Sequence, residues 1–340
     1  MLTLLQYITF LGGGLFLVWW QLKSMTPAET AEFYHAITNA NYWIIIPIVI
    51  MSLLSHLSRA MRWKLLMEPL GYRPKLQNLF GVIMIGYLAN AAIPRLGEVL
   101  RCTFLAKYEK FKVDKLVGTI IVERSFDLLC FAIFIGITVL IQIKTIGGFV
   151  ESKFANTNFN SLEFAWKIAL FFSFIALLVF VIKKNINRQS NNKFIAGAIR
   201  FLSGIGEGFG TIKTLQNKKA FLLHTLFMWC MYLGQIYLGF FGMDGIAGLS
   251  IQAACSVLAL ATLSMIVTPG GIGSFPIFVM QTLLIYGIDA PLGKAFGWVM
   301  WGVSTSLIIL VGCISLIAMP YLNKKNNEIN TTNTAQDIQP

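Results

Sequence analysis

Charged residues recur at helical spacing in two short stretches of this 340-residue chain. Arg95, Glu98 and Arg101 follow one another every third residue, so a helix beginning after Pro94 would carry all three on one face. Glu123 and Asp127 are four apart and share a face, with Arg124 beside it. A guanidinium offers five directed donors and suits a phosphate or other anionic headgroup. A carboxylate partner would hold the arginine in place or receive a cationic substituent. The same residues also fit a purely structural use, in which pairs such as Arg95 with Glu123 or Asp127 bolt one segment to the next helix. The two readings are compatible, and the functional one requires a wet cavity with one unpaired arginine.

A second stretch has breakers and no charge: Thr268-Pro269-Gly270-Gly271-Ile272-Gly273-Ser274-Phe275-Pro276. Its contribution would be backbone. Gly270, Gly271 and Gly273 leave N–H and C=O groups open to approach, and a half-helix starting near Ser274 would present its positive end to an anion. Close glycine packing is the competing explanation. The GxxxxGK[ST] phosphate loop is missing.

The elements that must position these residues are apolar and long. Hydrophobic residues make up 56% of the chain and charged ones 12%, where soluble chains carry about 25%. The mean hydropathy is +0.70. Leu4–Trp20, Trp43–Leu57, Leu128–Ile143, Phe164–Ile182, Phe221–Phe241, Ile251–Val267 and Trp298–Met319 are candidate spans, since roughly 20 apolar residues cross about 30 Å of hydrocarbon. The first stretch lacks a basic start and a small-residue cleavage site, so a retained helix is expected rather than a signal peptide. The net charge of +12 gathers at the ends of the apolar runs, as positive-inside loops require, which argues for anionic lipid and against nucleic acid.

Basic clusters set the expected threading. Arg59, Arg62, Lys64, Arg73 and Lys75 follow the second run, and Lys107, Lys110, Lys112 and Lys115 precede the Glu123 helix. Lys183, Lys184, Arg188 and Lys193, then Lys218 and Lys219, and finally Lys324 and Lys325 mark further inner connectors. Thr26–Ala40 and Lys144–Glu163 are expected outside. Residues 79–106 must then leave and return to the inner face, turning at Asn90–Glu98, where Pro94 blocks a helix and Gly97 permits a tight path. Residues 251–287 must do the same from the outer face. The expectation is an all-α polytopic membrane protein with six full spans and two opposed re-entrant helical hairpins, both termini cytoplasmic. Eight complete, kinked spans are the alternative. Residues 1–322 form one transmembrane domain and 323–340 a disordered Asn/Thr-rich tail. Residues 192–219 read as an amphipathic helix at the inner interface or packed on the bundle.

Several chemistries have no signature. The five cysteines are scattered and read as small buried hydrophobes. The three histidines show no metal spacing, and no nucleotide loop or nucleophile elbow appears. No cofactor or metal is expected. Trp19, Trp20, Trp43, Trp63, Trp166, Trp298 and Trp301 lie near span ends, where interface anchoring places them. Gly81, Gly86, Gly234 and Gly239 mark expected close helix contacts, without GxxxG spacing.

One ordered set of motifs carries a resemblance. Arg59-x-x-Arg62-Trp63-x-x-Leu66, then Gly86-Tyr87-x-x-Asn90-x-x-x-Pro94-Arg95-x-Gly97-Glu98-x-x-Arg101, then Glu123-Arg124-x-x-Asp127, and Pro269-Gly270-Gly271-Ile272-Gly273 are similar to the membrane region of the lysylphosphatidylglycerol synthase and flippase-like family, over roughly residues 5–320. The soluble domain that transfers lysine in that family's synthase branch has no counterpart here. The resemblance therefore implies no enzyme. It implies a flippase-like transporter in a bacterial inner membrane that moves a polar or anionic lipid, or a lipid-linked molecule, between leaflets. By the same resemblance Asn90, Pro94, Arg95, Gly97, Glu98, Arg101, Glu123, Arg124 and Asp127 line or support the cavity. Family members often place Glu soon after the late glycine motif. Ser274-Phe275-Pro276 has none, which points to a different and purely anionic lipid. An ion-coupled small-solute transporter and a non-transporting scaffold for an envelope-synthesis enzyme are the alternatives, with a homo-oligomer open in each case.

Overall fold

The computed structural model describes residues 2–93, 95–153 and 215–336, and everything stated about it refers to these. The expected Phe164–Ile182 span, the 192–219 segment before residue 215, and Pro94 lie outside them.

The chain is helical throughout the described residues. The elements are α1 (Leu2–Lys23), α2 (Pro27–Thr38), α3 (Ile45–Met67), α4 (Leu76–Ala92), α5 (Leu96–Glu109), α6 (Val113–Lys153), α7 (Lys218–Phe240), α8 (Ile251–Val267), α9 (Ser274–Leu284) and α10 (Ala290–Gln336), the last extending into the 323–340 tail. Four segments are long and apolar enough to cross a membrane: Tyr42–Leu70, Val113–Ile143, Lys218–Phe240 and Ala290–Lys324. Leu76–Ala92, Ile251–Met265 and Ser274–Leu284 are shorter apolar helices. The protein is an all-α integral membrane protein.

Two connectors differ from expectation. Thr26–Ala40 is largely the helix α2, started by a capping box in which the Thr26 hydroxyl accepts from Glu29 N–H and Glu29 accepts from Thr26 N–H. Lys144–Glu163 begins as helix, because α6 runs on to Lys153. Charge counting identifies polar connectors but says nothing about whether the backbone keeps its helical hydrogen bonds through them.

The pairings are antiparallel, which the short connection requires only for α9 and α10. On α3 and α7, Ser58 meets His224 and Met51 meets Gly234. The long helix α10 has two different neighbours along its length. Gly297 and Gly293 lie against Pro276 and Met280 of α9, whereas Gly312 and Met319 lie against Leu88 and Gly81 of α4. Asn78 and Asn323 exchange amide hydrogen bonds of 3.0 and 2.9 Å at the far end of that second contact. Helices α9 and α4 are thus arranged end to end on one partner. Each expected contact glycine is confirmed: Gly81 faces Met319, Gly86 faces Arg101, Gly234 faces Met51 and Gly239 faces Met300.

Buried side chains form two apolar cores. One gathers Phe240, Val257, Val279 and Phe296 from α7 to α10; the other gathers Trp63, Leu79, Ile83, Leu105 and Phe221 from α3, α4, α5 and α7.

Candidate functional site

The second of these cores surrounds the charged residues. Helix α6 presents Glu123 and Asp127 one turn apart toward α3, in the antiparallel register that sets Trp63 against Thr119 at 2.9 Å. Arg59 Nη1 donates to Glu123 at 2.9 Å and to Asp127 at 2.8 Å. Arg62 Nη2 lies 2.6 Å from Asp127 and 3.4 Å from Glu123. From α5, Arg101 Nη2 donates to the other Glu123 oxygen at 2.9 Å. The Arg101 guanidinium also stacks 4.2 Å from the Trp63 ring centre. Glu123, Arg62 and Trp63 are fully enclosed, and Arg101 is 2% exposed.

Three guanidiniums face two carboxylates here, leaving one positive charge in excess. Arg59 Nε, Arg62 Nε, and Arg101 Nε and Nη1 have no acceptor. Buried donors normally find partners, so four orphans in one cluster are unusual; two acceptors beside them, Asp127 Oδ1 and Glu98 Oε2, are also without a hydrogen bond.

A second ion pair lies closer to the surface. Arg124 Nη2 donates to Glu98 at 2.8 Å, and both side chains are partly exposed. Glu98 is held by the turn between α4 and α5. There Asn90 Oδ1 accepts from Gly97 N–H at 2.8 Å, while its amide reaches Glu98 at 3.4 Å. Gly97 is obligatory, because a Cβ would run into the Gly86 carbonyl and the Asn90 side chain. Arg95 begins α5 in the left-handed region, at φ 67°, and is exposed. It forms no ion pair among the described residues, which corrects the expected pairing with Glu123 or Asp127.

The uncharged turn between α8 and α9 meets the first one. Gly270 approaches the Ala91 backbone, and Gly270, Gly271 and Gly273 all have positive φ. Contrary to expectation, the carbonyls of Gly270 and Gly273 are not open. Gly270 O accepts from Trp301 Nε1 at 2.8 Å, Gly273 O from Gln21 at 2.7 Å, and Ile272 O from Thr268 at 3.1 Å. Thr268 also shares a 2.6 Å hydrogen bond with Ser274. Beside Trp301, an open-sided apolar groove of about 660 Å³ runs between α3 and α10, lined by residues including Ile45, Val49, Gly302 and Leu310.

The structure thus joins Arg101, Glu123 and Asp127 in one buried network. It pairs Glu98 with Arg124 at the network's edge, and it sets Asn90, Gly97 and Arg95 at one turn and Pro269, Gly270, Gly271 and Gly273 at the other. Arg59 and Arg62 were assigned to a cytoplasmic connector on charge alone. They belong to the site, because carboxylates on another helix neutralise them. Trp63 is likewise no interface anchor. Their three-residue spacing and the shared motif with Trp63 were the available signals.

Comparison with known proteins identifies the family. The lysylphosphatidylglycerol synthase TM region family matches residues 5–312. A UPF0104 membrane protein of Methanocaldococcus jannaschii is 24% identical over 302 residues, covering 82% of this chain and 85% of the relative. No solved structure matches. The matched region is distinct from the aminoacyl-transferring domain of such synthases, so residues 5–312 carry no transferase chemistry.

Proposed function

We propose, from the premise that the chain belongs to the family of lysylphosphatidylglycerol synthase transmembrane regions, that it moves the polar head of an anionic lipid or lipid-linked molecule between leaflets. No bond is made or broken. A charged headgroup crossing hydrocarbon loses its hydration, and fixed donors in a protein groove replace it while the tails stay in lipid.

The observation that carries this reading is the excess of buried guanidinium over carboxylate, with four donor atoms left without acceptors. Arg95 and Arg124, both accessible, receive the headgroup first. The Arg124–Glu98 pair is the latch between α5 and α6, and opening it admits the phosphate to Arg101. The groove beside Trp301 supports the same reading, since it offers the tails an apolar track next to the second turn.

In this reading the protein lies in a bacterial cytoplasmic membrane with both ends inside, as six spans and two hairpins entering from opposite faces. Helix α9, with 11 residues, covers about 16 Å, roughly half of a 30 Å core. The end-to-end arrangement of α4 and α9 on α10 supports hairpins whose turns meet inside the bilayer.

Reconstitution in vesicles tests the proposal by following leaflet exchange of fluorescent phosphatidylglycerol and of lipid-linked phosphates. Wild type accelerates exchange of at least one anionic lipid, and folded Arg95→Gln and Arg124→Gln proteins slow it at least tenfold. Rates equal to those of protein-free vesicles for every lipid sink the reading.

A further inference from the structure

Between Ser52 and Arg62 the buried face of α3 is largely polar, which departs from the usual pattern of a helix facing its own protein's apolar core. Ser52, Ser55, His56, Arg59 and Arg62 are all buried and recur at intervals of three and four. The opposite stripe, Ile46, Ile50, Leu54 and Met61, is apolar and exposed to the lipid side. Arginines at one end of the polar stripe belong to the network described above. The histidine does not, and nothing in the headgroup path uses it.

His56 is 8% exposed. Its Nδ1 has no hydrogen-bond partner. Its Nε2 is 3.5 Å from Ser52 Oγ, at the limit of a hydrogen bond, and its ring lies 5.1 Å from that of Tyr87 on α4. A histidine kept only for packing would have its polar atoms satisfied, or would be replaced by an apolar residue of similar size. An ionisable side chain in a membrane interior that keeps a free nitrogen is placed for function.

From these observations we infer that His56 is a proton-binding site that unlocks the arginine–carboxylate network, so that a proton gradient drives the headgroup. Hydronium from one face gives its proton to Nδ1 and leaves as water; the imidazolium later returns the proton to water at the other face. The surrounding groups explain why this proton acts on the network. Arg59 is one turn away on α3 and already holds Glu123 and Asp127 of α6. Tyr87 faces the ring from α4, and Tyr232 of α7 hydrogen-bonds Arg59 at 3.4 Å. His224 of α7 is committed to Ser58 at 2.9 Å. Where α10 approaches α3 along the groove, Val303, Ser306, Leu307 and Leu310 carry no charge. Among the described residues, no carboxylate other than those two is recorded beside Arg59 to offset a proton on His56. The added charge therefore repels Arg59 and competes for its carboxylates, loosening the cluster where the headgroup must enter.

The inference rests on the transport reading, and two measurements separate their failures. The first is exchange of fluorescent phosphatidylglycerol in proteoliposomes with and without an imposed pH gradient. In wild type a gradient of one sign speeds exchange several-fold, and in His56→Gln the ratio of the two rates falls to one. The second needs no lipid movement. Cys102 is fully buried beside Arg101, so its thiol reports opening of the network. With Cys130, Cys230, Cys255 and Cys313 changed to Ser, acidification raises the rate of Cys102 labelling by dithiodipyridine several-fold. The same background with His56→Gln shows no rise. Exchange that ignores the gradient, or an acid response of Cys102 identical in both proteins, overturns the inference. Exchange absent for every lipid, with the His56-dependent labelling intact, overturns the transport reading and the gradient coupling while keeping the proton site.

Discussion

The two turns that meet inside this protein are built from opposite materials. Around the α4–α5 turn the geometry is held by side chains: Asn90 caps Gly97, Glu98 binds Arg124, and Arg101 reaches into a cluster with Arg59, Arg62, Glu123 and Asp127. The α8–α9 turn carries no charge of its own. Three glycines at positive φ shape it, and Gln21, Trp301 and Thr268 hold its carbonyls. Charge makes the first turn specific and costly to disturb, since a buried ion without its partner keeps its desolvation penalty. Backbone hydrogen bonds make the second turn rigid and indifferent to the sign of what passes. Under the proposed function, a headgroup is recognised at one turn and guided at the other.

The largest effect should come from the charged side. Glu123→Leu strands Arg101 and leaves Asp127 alone to face Arg59 and Arg62, and should cost about 3–5 kcal/mol, read as a collapse of folded yield and thermal stability in detergent. Thr268→Val, which removes the hydroxyl of the uncharged turn, should cost about 1 kcal/mol. Equal losses for the two variants would erase the contrast. Glycine substitutions sharpen it next. Gly97→Ala forces a Cβ into the Gly86 carbonyl and should cost about 1–3 kcal/mol. Gly273→Ala should match it, since its Cβ would lie 2.7 Å from Gly14 O at positive φ. Gly270→Ala meets only the Ala91 backbone, at an ordinary contact distance of 4.0 Å, and should lose only the left-handed penalty, about 1–2 kcal/mol. The ordering is readable by thermal unfolding.

A smaller effect of opposite sign is expected at Arg95. Its φ of 67° is strained for a residue with a Cβ, so Arg95→Gly should raise stability by about 1 kcal/mol while slowing leaflet exchange. A variant that is both less stable and equally fast would reverse the assignment of Arg95 to headgroup contact. The smallest effect lies far from either turn and serves as a control. Glu29 accepts the Thr26 N–H, which holds its carboxyl below the ordinary range. The contribution of this cap is present at neutral pH and disappears as pH falls through that lowered value. Hydrogen exchange of α2 should therefore accelerate in acid for wild type and be less pH-dependent in Glu29→Gln, with both turns unchanged.

Much of the architecture was readable in advance because hydropathy and helix breakers are local properties. Apolar runs announced α1, α3, α6, α7 and α10. Pro94 with Gly97, and Pro269 with the three glycines, marked the interruptions that the structure places at the two turns' boundaries. The contact role of Gly81, Gly86, Gly234 and Gly239 was also anticipated. Among the site residues, Arg101, Glu123 and Asp127 drew notice through their spacing alone. Arg59 and Arg62 did not, because a rule that counts charges cannot register a carboxylate 64 or 68 residues away.

By itself the sequence determined that this is a helical membrane protein, where its helices break, and which stretches concentrate ionisable residues, since each follows from composition and spacing along one segment. Only the tertiary structure decided which charge neutralises which. It left one guanidinium in excess, closed three carbonyls of the second turn, and turned the polar stripe of α3 inward. The physical reason is that electrostatic energy depends on distance in space. Four helices had to pack before Arg59, Arg62, Arg101, Glu123 and Tyr232 came within reach of one another.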